Sequence, residues 1–395
     1  MFKVFATKEN NTDAAIKEVA EGIEGSPSVL MVYGTCNHDW DLISNTLNER
    51  YSNQHVKILG GTSCLGVLTN QDFYSENGHG LGVLAINDFD GDIGVGSSFS
   101  KNAKDACEAL VNDADRKGEM PDFIWMLSSP GDEEKSLEEI TKYFGGNVKV
   151  FGGSCGDNDI SGKWKLLHGK DMAGDGIILV GFYSHSHEIF SSFHSGYAPT
   201  GETAVVTKSN GREVVEFNNK DAYSVYDGWL EGKIKEKIDT GANNILAEST
   251  LYPLGRIVGT VKDVPYYLLS HPESVTSESG VTLFTNIQEG DEVTLMKGSV
   301  ESLENRLAEV VETLMAREGI EKDEVAGGLI IYCAGCMLAV NSENLMQSVA
   351  KKLNNVVGDA PFIGIHTFGE QGCFFEEDHG HHGNLMISAT IFKRK

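Results

Sequence analysis

The sequence predicts a mixed α/β (α+β) chain of two domains, each a mixed sheet flanked by helices. Three observations predict it. The first half alternates short apolar runs with stretches of helical apolar spacing. From Gly176 to Phe217 the pattern changes to successive strands, and the second half then resumes the strand–helix rhythm. With 395 residues, two fifths of them hydrophobic, the chain is too long for one ordinary core and long enough to build two. The boundary is placed near residue 220, giving domains 1–220 and 221–395, with no Pro- or Ser-rich linker marking it.

Element by element, Val29–Tyr33 is a buried strand ending at Gly34, Asp41–Arg50 a helix, and Val56–Leu59 a strand stopping at Gly60-Gly61. Strands over 80–86 and 93–99 flank the turn chemistry of Asp88 to Asp92. A helix is expected over 102–114, a strand over 123–127, a helix over 133–144 and a strand over 148–151. Strands then include Ile177–Val180, Glu188–Phe193 and Ala204–Thr207, and Ser209-Asn210-Gly211 marks a hairpin turn before Glu213–Phe217. Asp221–Ile234 reads as one connecting helix. The second half opens at Leu251–Leu254 and runs through strands to Leu295. Val300, Leu303, Leu307, Val310, Val311 and Leu314 then share a face of a long amphipathic helix. A strand over 329–332, a helix over 341–353, a strand over 362–365 and a last strand over 385–392 complete the reading. The two halves share a rhythm, but no internal repeat stands out.

The formal net charge of -26 is spread along the chain. Such an acidic surface repels phosphate backbones and anionic lipids, so neither nucleic acid nor membrane is an expected partner. The apolar run Phe2–Ala6 is too short for a signal peptide, no window is long enough to span a bilayer, and seven cysteines at irregular spacing suit a reducing compartment. A cytoplasmic protein is expected.

Candidate chemistry concentrates in three glycine-rich segments at strand ends: Gly60–Gly66, Phe151–Asn158 and Phe368–Gly372. Glycine lets backbone N–H groups approach a ligand closely, so these are either ordinary tight turns or the lining of one pocket. Thr62, Ser63, Ser154 and Asp157, with Gly152 and Gly153, are candidates to hydrogen-bond a polar ligand. Tyr252, Cys333, Gly335, Gly369, Glu370 and Asn384 are candidates for a pocket in the second half, where Glu370 suits a ligand ammonium better than an anion. Gly152-Gly153-Ser154-Cys155-Gly156 has the letters of a nucleophile elbow, but loop composition follows where the elbow needs a helix. No catalytic residue is assigned and no enzyme is expected.

Cys333-Ala334-Gly335-Cys336 is a C-x-x-C between a strand and a helix, the setting of a redox pair. Its apolar neighbours point instead to buried, reduced thiols. Asp378-His379-Gly380-His381-His382 is the densest group of metal-capable side chains, and with Cys333, Cys336 and Cys373 it offers zinc ligands. The spacing fits no standard finger, so the loop is read as solvated and no metal is assigned. His168, His194 and His271 are candidate haem ligands without a motif to favour one. No phosphate-binding, dinucleotide or kinase signature is present.

At these segments the chain resembles the FIST family (F-box and intracellular signal transduction proteins). Its N-terminal domain is suggested by Gly60-Gly61-Thr62-Ser63-Cys64-Leu65-Gly66, Phe151-Gly152-Gly153-Ser154 and the strands around Gly176 to Phe182. The passage from His194 through Glu216-Phe217-Asn218-Asn219 to the Ala222–Tyr226 helix resembles the family's junction. Tyr252-Pro253-Leu254-Gly255, Ile287–Val293, Ile331–Gly335 and Thr367–Glu370 suggest the C-terminal domain. The resemblance implies a stand-alone sensory protein for a small ligand, with amino acids proposed as ligands, signalling through a separate protein such as a histidine kinase. It makes haem-based nitric oxide sensing the alternative, with thiol or metal chemistry at Cys333 and Cys336 a further one. No cofactor is required. Two positions depart from the family pattern: Cys336 stands where arginine is usual after Cys-x-Gly, and Asn384 is followed by Leu385-Met386 rather than a nearby Thr. The ligand of this chain is therefore expected to differ from the usual one.

Overall fold

A computed structural model describes residues 2–52, 54–87, 91–146, 148–342, 344–375 and 379–395. The turn expected at Asp88 to Asp92 falls largely on residues 88–90, outside the described ones, as does Asp378.

Contrary to the expectation from sequence, the chain contains a repeat, and it is threefold. The first copy runs strand Phe2–Thr7, helix Thr12–Gly22, strand Val29–Gly34, helix Trp40–Arg50, strand Lys57–Thr62 and strand Leu81–Ile86. The second runs strand Ile93–Ser98, helix Ala103–Asp113, strand Phe123–Ser128, helix Glu133–Phe144, strand Val150–Ser154 and strand Ile177–Phe182. In the third, strand His187–Ser195, helix Val300–Glu318, strand Val325–Cys333, helices Ala334–Asn341 and Met346–Val357, strand Phe362–Thr367 and strand Met386–Arg394 follow in the same order. Each copy lays its strands side by side as first, fourth, second, third. The second and third strands are parallel, joined by a helical crossover, and the others are antiparallel.

The copies are laced in a ring. The chain leaving each third strand adds a short antiparallel strand to the edge of another copy. Val67–Thr69, from the first copy, pairs with Phe362–Thr367 of the third. Leu166–His168, from the second, pairs with Lys57–Thr62 of the first. Gly369–Gly372, from the third, pairs with Val150–Ser154 of the second. Just beyond each third strand, an N–H donates to a carbonyl at the end of a neighbour's third strand: Gly156 to Thr62 at 3.2 Å, Phe368 to Ser154 at 3.0 Å, and Cys64 to His366 at 3.0 Å.

One hydrophobic core fills the space between the three sheets, with Met31, Trp125, Phe151, Ile330 and Phe392 among its members. Phe392 of the third copy touches Phe2 of the first and Phe182 of the second, and Trp125 Nε1 donates to Tyr33 Oη across the sheets at 3.0 Å. Helices of the first two copies cover the outer sheet faces with cores of their own. Their starts are local: Asn11, Asp39 and Asn102 accept an N–H of the first turn.

A fourth sheet of eight strands, residues 198–297, is inserted between the first strand and first helix of the third copy, over a separate core that includes Val206, Phe217, Tyr226 and Leu254. The single helix expected over 221–234 is two, Ala222–Trp229 and Lys233–Ile238. Glu231 and Gly232 between them have φ of 57° and 89°, which no helix accommodates.

Gly60 and Gly152 occupy matching positions in two copies. A Cβ on Gly60 would overlap the Val32 carbonyl oxygen, and one on Gly152 the Met126 carbonyl oxygen. Both are backbone contacts inside a sheet, so nothing can yield cheaply. Gly60→Ala and Gly152→Ala are each expected to cost at least about 3 kcal/mol. Urea unfolding of the two variants checks this, and a loss below about 1 kcal/mol in either would show that the sheet there relaxes.

Candidate functional site

The parallel pairs of the three copies all end where the ring closes, so the crossovers point their loops at a common region, the side of an α/β sheet that ligands favour. Residues 60–66, 154–158 and 366–372 meet there. Leu65 N donates to Asn158 Oδ1 at 2.8 Å, and His366 N to Ser63 Oγ at 2.8 Å. The segment Gly369–Gly372, expected to be a turn, is the exchanged strand. Glycines on both strands allow the close fit: a Cβ on Gly153 of strand Val150–Ser154 would run into the Thr367 side chain, and one on Gly369 into the His382 ring.

Strand alternation sends Glu370 to the inner face and Gln371 to the outer one. Glu370 is fully buried. Its Oε1 accepts from Thr367 Oγ1 at 2.9 Å and its Oε2 from Met386 N at 3.1 Å, and the Cys333 thiol lies against it. Burial first, and then Cys333, push this carboxyl well above its usual range, against the opposing pull of Met386 and Thr367. The folded state therefore favours the protonated form of Glu370. Cys333 is the N-cap of helix Ala334–Asn341. Burial, then the adjoining Cys336, push its thiol far up despite the N–H groups of Gly335 and Cys336. The helix terminus thus fails to make a thiolate, and both cysteines are buried and unbridged.

Around this pair, Asn384 Oδ1 accepts from His271 N at 3.3 Å and Asn384 N donates to Leu269 O at 2.9 Å. Gly335, half-buried, abuts Leu385, Cys333 and His271. Two leucines flanking the region are forced into the left-handed region, Leu65 at φ 58° and Leu385 at φ 56°. Strain of this kind, about 1–3 kcal/mol each, collects at functional sites.

Of the candidates named from sequence, Cys333, Gly335, Gly369, Glu370 and Asn384 come together here. Thr62, Ser63 and Asp157 are buried close by but engaged internally: Thr62 Oγ1 accepts from Lys165 N, Ser63 Oγ donates to Gly66 O, and Asp157 takes the N–H groups of Ser161 and Lys163. Gly152 and Gly153 are strand residues against Gln371 and Glu370. Tyr252 stands apart in the inserted sheet, its ring under the Lys233 ammonium. Sequence reading missed Thr367, because a threonine ending a strand carries no signal, and Leu65 and Leu385, because leucine is not a turn residue.

Ser154 lies on the outer face. Its hydroxyl donates to Glu133 Oε1 at 2.8 Å, and a loop, not a helix, follows it. Glu133 is buried beside Arg212, whose Nη2 lies 2.9 Å from both Glu133 and Glu134. Burial opposes its ionisation, but His382, Arg212 and Ser154 together outweigh this and hold it at about 2. Among the histidines considered for haem, His168 Nδ1 meets Ser97 Oγ at 2.8 Å, His271 Nε2 meets Leu246 O at 3.2 Å, and His194 packs on Tyr266. They lie on three different strands or strand ends, and no two share one pocket wall among the described grooves.

Parallel strand ends thus meet over a buried polar cluster in a mixed α/β fold. The FIST N domain matches residues 28–220 and the FIST C domain residues 222–373. The chain belongs to the FIST family, whose domains are associated with signal transduction. A search of curated proteins returned no match. Among the described residues no helix is long and apolar enough to cross a membrane.

Because the folded state keeps Glu370 protonated, it binds a proton that the unfolded chain releases above its ordinary value of 4.5. Stability from this group is therefore present below that value and falls as pH rises, by at most about 1.4 kcal/mol per pH unit. Glu370→Gln keeps the neutral shape and removes the dependence. Urea unfolding at pH 5, 7 and 9 is expected to show the variant gaining on the wild type as pH rises. A constant difference would mean that Glu370 is ionised in the fold.

Proposed function

We propose that this chain is a sensory protein that binds a small zwitterionic ligand, an amino acid being the favoured class, where the three strand-end loops meet. It passes the state of that site to a separate signalling protein such as a histidine kinase. The observation that carries the reading is Glu370: a buried neutral carboxyl set beside the N-terminus of helix Ala334–Asn341. The helix terminus and the N–H groups of Gly335 and Cys336 suit a ligand carboxylate. Glu370 suits the ammonium, which it can pair by giving up its proton. Gly335, Phe368 and Leu65 beside the site are only half-buried, and relief of the strained leucine backbones is available to couple binding to a change of shape. Membership in a signal-transduction family supports a sensory role, and Ser154, bound to Glu133 with no helix behind it, gives no support to catalysis.

A thermal-shift screen of the full chain against amino acids, haem and divalent metals tests the proposal. A ligand that binds only the native state stabilises it by about 2.7 kcal/mol at a hundredfold excess over Kd. At least one amino acid is expected to raise the melting temperature, and Glu370→Gln to weaken its binding by roughly 2–5 kcal/mol while leaving the free protein folded. No shift with any amino acid, or the same affinity in Glu370→Gln, would overturn the assignment.

A further inference from the structure

On the outer face of strand Gly369–Gly372 a second polar cluster stands apart from the Glu370 site. It closes one end of a groove of about 470 Å³ between helix Glu133–Phe144 and the inserted sheet, lined by Glu134, Arg256, His379, His381 and His382 among others. Glu133, Glu134 and His382 each present one ligand atom, all within 4.8 Å of one another. Glu133 is 2 % exposed and His382 3 %, so this is a built cluster and not a patch of surface acids. What now holds the two carboxylates together is a cation, the Arg212 guanidinium.

Gln371 supplies an independent observation. It is fully buried, and its Nε2 lies 3.2 Å from His382 Nδ1 and 3.4 Å from Ser154 Oγ. Its Oε1 has no partner, a costly state for a buried carbonyl. In the tautomer whose Nδ1 accepts from Gln371, the ring proton is on Nε2, which lies 3.4 Å from Phe284 O and 3.8 Å from Glu133 Oε2.

We propose that Glu133, Glu134 and His382 form a site for a divalent transition-metal ion, with Arg212 as the competitor that occupies it otherwise. Two carboxylates and an imidazole are a common ligand set for such ions. Metal on His382 Nε2 moves the ring proton to Nδ1, which then needs an acceptor. Turning the Gln371 carboxamide over brings its unpartnered oxygen to that proton. Arg212 lies in the turn between strands Ala198–Asn210 and Glu213–Phe217, so its displacement by a metal removes one of the ties between the inserted sheet and helix Glu133–Phe144, another being Asn286 N to Glu134 Oε1 at 2.8 Å.

Titration of the chelator-treated full chain with Co²⁺, followed by visible absorption, tests this. One ion per chain is expected, with ligand-field bands and no thiolate charge-transfer band. Arg212→Gln removes the competitor and is expected to tighten binding about tenfold or more, while Glu134→Gln, at a partly exposed position, weakens it about tenfold or more. Glu370→Gln leaves it unchanged, which separates this site from the proposed ligand site. Absence of binding in both wild type and Arg212→Gln overturns the proposal. So does binding that survives both Glu134→Gln and His382→Ala, which assigns the ion to the outer histidines, or a thiolate band, which assigns it to cysteines.

Discussion

Three backbone hydrogen bonds, from Gly156 to Thr62, Phe368 to Ser154 and Cys64 to His366, close the ring on which the rest of the molecule depends. Each joins the end of one copy's third strand to the next copy, and each is accompanied by an exchanged edge strand. No copy is complete alone: the edge of its third strand is covered by chain from another, which keeps that edge from pairing with other chains. The exchange also explains why the FIST N and FIST C matches, which meet at residues 220 and 222, are not independent bodies. Strand His187–Ser195 lies within the first match and joins, through strand Met386–Arg394, a sheet that holds two strands of the second. Strand Gly369–Gly372 does the reverse.

The ring puts polar chemistry where a sheet interior is usually apolar. A single exchanged strand carries Glu370 inward and Gln371 outward, and the two faces solve the burial of a carboxyl in opposite ways. Inside, Glu370 has the Cys333 thiol for a neighbour, and burial favours its protonated form. Outside, Glu133 has Arg212 and stays charged. Under the two proposals above, an acid that a ligand ammonium would ionise and an ion pair that a metal would open are both two-state elements. They flank opposite faces of one strand, Gly369–Gly372.

Much of the secondary structure was legible in the sequence. Runs such as Val29–Tyr33 and Phe123–Leu127 are strands because they are buried on both faces, and the apolar spacing from Val300 to Leu314 marks a helix that packs on the third sheet. The threefold repeat was not legible, because it resides in connectivity: only Gly60-Gly61-Thr62 and Gly152-Gly153-Ser154 echo one another, and the third copy is interrupted by the inserted sheet. Exchanged strands of three or four residues are too short to show a period, and Gly369–Gly372 reads as a turn from sequence although its glycines serve close approach rather than reversal. At the candidate site the glycine segments and Glu370 could be picked out by residue type. The left-handed Leu65 and Leu385 and the Arg212–Glu133 contact across 79 positions could not.

The most direct test of this account is hydrogen exchange on the full chain, read at single-amide resolution by mass spectrometry. If the ring closes the fold as one cooperative body, the amides of Cys64, Gly156 and Phe368 exchange only through global opening, with one shared free energy. If any of the three exchanges orders of magnitude faster than the other two, the ring is open in solution and cannot hold the strand ends together as a site.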